Sequence, residues 1–72
     1  MENKQAICSA LCATLKLTSA FQDLETLEYK QDSEWEETVQ AKFKGGARKR
    51  AVVSGDSGAA MIKDVIRQLM YR

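Results

Sequence analysis

The stretch Trp35-Glu36-Glu37-Thr38-Val39-Gln40-Ala41-Lys42-Phe43-Lys44-Gly45-Gly46 decides how this chain folds. Trp35, Glu37, Val39, Ala41 and Phe43 alternate with Glu36, Thr38, Gln40, Lys42 and Lys44. An extended backbone sends successive side chains to opposite faces, so one side is mostly apolar and the other wholly polar. Gly45-Gly46 then closes the run, because glycine reaches positive φ without a Cβ penalty and marks a hairpin. Arg48 to Ser54 reads as the return strand. Pairing Val39 with Val53 and Ala41 with Ala51 keeps both apolar pairs on one face and leaves Gly45-Gly46-Ala47 as a three-residue loop.

Upstream, Leu24 to Gln31 sets Leu27, Tyr29 and Gln31 against Glu28 and Lys30, a weaker strand that ends in the turn chemistry of Asp32-Ser33-Glu34. Residues 4 to about 18 read as an amphipathic helix: Ile7, Leu11 and Leu15 are spaced by four, Cys8 widens the stripe and Asn3 is a suitable N-cap. Phe21, in the connection that follows, is expected to fold onto the core. Downstream, Ser54-Gly55-Asp56-Ser57 breaks the strand and offers helix caps. Met61, Ile62, Val65, Ile66 and Leu69 then recur at helical spacing. The expected fold class is α+β: helix–strand–strand–strand–helix, a three-stranded antiparallel meander with both helices packed on one face. At 72 residues it is a single small domain with a modest core.

Composition narrows function by exclusion. Histidine is absent and cysteine occurs twice. Cys8 and Cys12 stand four apart, which suits one helix face and not the C-x-x-C spacing of redox pairs. Two thiols without a histidine cannot fill a structural zinc site within one chain, so no metal and no cofactor are expected. Gly55-Asp56-Ser57-Gly58 spells the nucleophile tetrapeptide of trypsin-like serine proteases, but no histidine exists to act as base, so it reads as a strand-to-helix turn in which Asp56 or Ser57 caps the helix. No phosphate-binding loop or dinucleotide fingerprint is found, and the chain is not expected to be an enzyme. The apolar segment from Ala6 to Leu15 follows Glu2 and is interrupted by Lys16, unlike a secretory leader, so a soluble, cytoplasmic protein without membrane contact is expected.

Charge is unevenly laid out although the net value is only +1. Residues 1–41 hold eight acids against three bases, and residues 42–72 hold two acids against eight bases. Asp32, Glu34, Glu36 and Glu37 gather at the first sheet turn, and Lys42, Lys44, Arg48, Lys49 and Arg50 surround the Gly-Gly turn. Successive turns of a meander lie at opposite ends of the sheet, so the domain is expected to be electrically polar along its strands. Solvated turn charges also keep a small sheet soluble, which is the plainest account of them. Beyond that, the leading expectation is an interaction module acting through protein contacts, including self-association across an open sheet edge. The basic cluster would then meet an acidic partner, and the acidic cluster a basic one. The alternative is nucleic-acid binding by the five cations through phosphate contacts. Trp35 and Phe43 lie with the apolar row and are assigned to packing rather than base stacking.

The helix–strand–strand–strand–helix order over a chain of this length is similar to that of the double-stranded-RNA-binding domain. That family binds phosphates through a run of lysines at the start of its last helix. The matching segment here, Ser57 to Lys63, holds one lysine, so the family's recognition residues do not carry over.

Overall fold

A computed structural model describes residues 3–34, 36–53 and 57–70. Trp35 and the Gly55-Asp56 part of the strand-to-helix turn therefore lie outside the described residues. The first helix, α1, spans Lys4–Leu15. Asn3 caps it as the sequence indicates: its side-chain oxygen accepts the Ala6 N–H at 3.0 Å. The helix stops three residues short of the expected end. Leu17 and Thr18 N–H bond back three residues to Thr14 and Leu15, and the Thr18 hydroxyl also donates to the Leu15 carbonyl at 2.7 Å. These contacts satisfy the last carbonyls and turn the chain out. A single turn of 3-10 helix, Ser19–Phe21, follows and buries Phe21.

Three strands form one antiparallel sheet in the order β1-β2-β3: Leu24–Gln31, Glu37–Phe43 and Arg48–Val53. A bulge between Leu24 and Thr26 returns Leu24 to the same face as Leu27 and Tyr29. The second helix, α2, spans Gly58–Met70. Of the two candidate caps, Ser57 serves: its hydroxyl oxygen accepts the Ala60 N–H at 3.1 Å.

The β2–β3 register differs from the sequence expectation by two residues. Val39 pairs with Ala51 rather than Val53, Val53 faces Glu37, and Ala41 faces Lys49. The loop is Lys44-Gly45-Gly46, closed by the Phe43 N–H donating to the Ala47 carbonyl at 2.8 Å. Both glycines hold positive φ, 89° and 93°. A shift of two preserves every side chain's face, so hydrophobic patterning cannot choose between the registers. Charge can. The expected register sets Lys44 opposite Arg48 and Lys42 opposite Arg50, two like-charged pairs, and the observed one retains only Lys42 opposite Arg48.

Both helices cover the same face of the sheet. Leu24, Leu27, Val39, Ala41, Phe43, Ala51 and Val53 meet Cys8, Cys12 and Leu15 from α1 and Met61, Val65 and Leu69 from α2. On α1 the buried line runs through the cysteines, and Ile7 and Leu11 only flank it. Fully burying one such aliphatic side chain is worth about 1.5–3 kcal/mol.

Candidate interaction surface

The register sorts the charged residues that the sequence could only group. On the face the helices leave free, three cross-strand rows run Thr26–Lys42–Arg48, Glu28–Gln40–Arg50 and Lys30–Thr38–Val52. Lys42, Arg48 and Arg50 are thus neighbours on one face. Lys49 lies on the opposite face and is half-buried, and Lys44 sits exposed in the turn with its backbone N–H donating to the Asp23 carbonyl at 2.8 Å. The five cations do not form one face; three of them do. Among the described residues, the ion pairs are Lys4 with Glu37 and Arg67 with Asp64, and neither takes up a hairpin cation.

The acidic group divides in the same way. The Asp32 N–H donates to the Glu36 carbonyl at 2.9 Å, closing the turn, and its carboxylate accepts from the Thr38 hydroxyl at 3.1 Å. Glu34 and Glu36 are exposed. Glu37 stands apart from them. It is half-buried beneath the start of α1, where Lys4 Nζ donates to its Oε1 at 2.6 Å and the Tyr29 hydroxyl donates to the same oxygen. Lys4 Nζ also stands 5.6 Å from the Tyr29 ring centroid. The Lys4 and Tyr29 hydrogen bonds hold the Glu37 carboxyl below its ordinary value, and the Glu37 bond, with burial, pushes the Tyr29 hydroxyl up to about 12.

This clasp gives stability a defined pH dependence. A lowered Glu37 pKa contributes stability that is present above its ordinary value of 4.5 and is lost as pH falls through the folded value. A raised Tyr29 pKa contributes stability that is present below 10.0 and is lost as pH climbs toward about 12. Glu37→Gln is expected to flatten both declines, because the acid limb loses its titrating carboxylate and the Tyr29 hydroxyl loses the main cause of its raised pKa. Thermal melts from pH 3 to 11 read both limbs; an unchanged acid limb would contradict the clasp.

Both sheet edges carry a glutamine from the overlying helix. Gln5 of α1 accepts the Tyr29 N–H at 2.9 Å and donates to the Leu27 carbonyl at 3.4 Å. Gln68 of α2 accepts the Val52 N–H at 3.0 Å and also donates to the Val52 carbonyl. Neither residue is given a role by the sequence alone. The available signal was position: a long amide beside the buried stripe, on each helix that lies along an edge strand.

The remaining chemistry is structural. Cys8 and Cys12 are free and buried, burial pushes the Cys8 thiol up, and Cys12 donates to the Glu25 carbonyl at 3.4 Å. Among the described residues, no three acidic or cysteine side chains converge as metal ligands, and no helix is long and apolar enough to cross a membrane. A shallow hollow of about 290 Å³ on the helix-free face is lined by both signs of charge, including Glu28, Lys30, Asp32 and Arg50.

Fold and surface together define a two-layer α+β domain with a charged sheet face that neither helix covers. Comparison with models of known protein families, with curated protein sequences and with solved structures found no match for this chain.

Proposed function

We propose that this protein is a non-enzymatic binding module that docks an acidic protein partner on the hairpin cations of its helix-free sheet face. The observation that carries the reading is the register: Lys42, Arg48 and Arg50 stand side by side on one uncovered face, outside the ion pairs found among the described residues. A cluster of cations beside low-dielectric protein steers an acidic surface and favours it over a basic one.

Nucleic-acid binding is the second reading, favoured by the same three cations. Glu28, in the middle row of the face beside Gln40 and Arg50, repels a phosphate backbone and an acidic partner alike, so it does not separate the two readings. The half-exposed Val52 at the edge suits a protein surface, which offers apolar as well as charged contacts. Self-association by pairing of two β3 edges is opposed by charge, since Arg48, Lys49 and Arg50 of one copy would face those of the other.

The experiment is a binding titration of labelled polyglutamate and of a single-stranded oligonucleotide from about 50 to 200 mM salt, a range that strongly modulates charge-driven contacts. Polyglutamate is expected to bind and to weaken steeply as salt rises. Absence of binding at low salt ends the acidic-partner reading, and preferential binding of the oligonucleotide replaces it with the second.

A further inference from the structure

We propose that the outer edge of β3 accepts an extended acidic peptide as a fourth, antiparallel strand, and that Gln68 holds that place while the edge is empty. The inference rests on the acidic-partner reading and adds how the partner binds.

The argument begins with the bonds on Val52. Its N–H donates to Gln68 Oε1 at 3.0 Å, and its carbonyl accepts from Gln68 Nε2. One residue exchanging both bonds with a single amide is the pattern of a hydrogen-bonded pair between antiparallel strands. The carboxamide therefore stands where the peptide group of a neighbouring strand would stand. Val52 is 53% exposed, so the position is open to solvent. Releasing Gln68 leaves its amide a partner, since Nε2 also donates to the Asp64 carbonyl at 3.2 Å.

Charge selects the occupant. Arg48, Lys49 and Arg50 are consecutive on β3, with the two arginines on the helix-free face and Lys49 on the other. An added strand carrying acids would find opposite charge on both faces, which stabilises cross-strand pairs. A second copy pairing its own β3 edge there would instead lay a cationic strand against a cationic strand. A nucleic acid has no repeating amide to exchange bonds with Val52. The β1 edge suits the same peptide less well: two acids, Glu25 and Glu28, outnumber the one cation, Lys16, in the groove beside Gln5. Strand addition of this kind draws affinity from main-chain bonds and specificity from alternate side chains.

The test uses the whole protein and a labelled nine-residue peptide of alternating Glu and Val at about 50 mM salt. Fluorescence anisotropy is read for this peptide, for a version N-methylated at alternate amides, and for an oligonucleotide. The parent peptide is expected to bind wild type, and the N-methylated peptide about tenfold or more weaker because its edge-facing donors are gone. Gln68→Ala should bind the parent a few-fold tighter, because the competing amide is removed, and stay monomeric in sedimentation. Equal binding of the two peptides overturns strand addition and leaves the acidic-partner reading standing. No binding of either overturns both. Tighter binding of the oligonucleotide, or dimerisation of Gln68→Ala without peptide, overturns the peptide as the occupant.

Discussion

Met61→Ala is expected to remove a large share of the domain's stability. Met61 is fully buried, on the α2 face that meets Val39, Ala41 and Ala51 in one cluster. Truncating a buried methionine costs about 2–5 kcal/mol, because the cavity only partly collapses. A domain of this size has roughly 4–11 kcal/mol in total, from about 0.05–0.15 kcal/mol per residue. One substitution therefore removes a large share. Met70→Ala is the internal control: Met70 is 60% exposed, on the same helix, and its loss should stay within about 0.5 kcal/mol. Urea titrations should show the Met61 variant's midpoint falling sharply while that of the Met70 variant barely moves. Equal midpoints would mean that α2 does not pack on the sheet as described.

The second large effect concerns binding. Replacing Lys42, Arg48 and Arg50 together by glutamate changes the sign of the helix-free face without touching the buried cluster. Binding of polyglutamate should fall by about a hundredfold or more, three charge contacts being lost and repulsion added. The salt dependence should vanish with it. A matched triple reversal of Lys16, at the C-cap of α1, and of Lys63 and Arg67 of α2 should cost far less despite an identical change in net charge. That comparison separates a local surface from non-specific attraction to a cationic protein. Circular dichroism of both variants should overlay that of the wild type.

Much of the fold was legible because the sequence repeats its message at several levels. Val39, Ala41 and Phe43 alternate, Gly45-Gly46 supplies the turn, and Met61, Val65 and Leu69 recur at helical spacing; all of them reach the expected face or bend. The register did not follow, for a definite reason. A slip of two residues leaves every face unchanged, so the decision fell to like-charge repulsion between Lys42, Lys44, Arg48 and Arg50. The line of burial on α1 also moved, from Ile7 and Leu11 toward Cys8 and Cys12, because a small thiol permits closer approach to the sheet than a branched aliphatic.

The surface was less legible than the core. Sequence proximity gathered five cations and four acids, but the two-residue period of a strand divides neighbours between faces. Lys49 and Glu37 were lost from their groups in that way: one turned to the far side of the sheet, the other clasped by Lys4 and Tyr29. Gln5 and Gln68 act through tertiary geometry, since a helix must lie along an edge strand before its amide can reach the backbone. No local pattern encodes that placement.

The most direct measurement is an amide chemical-shift map of the protein during titration with the alternating Glu/Val peptide. The shifts should concentrate on Arg48 to Val53, Lys42 and the Gln68 side-chain amide, with slowed exchange at the Val52 N–H. Shifts confined to α1 and the β1 edge, or spread evenly over the surface, would contradict a binding face built on β3.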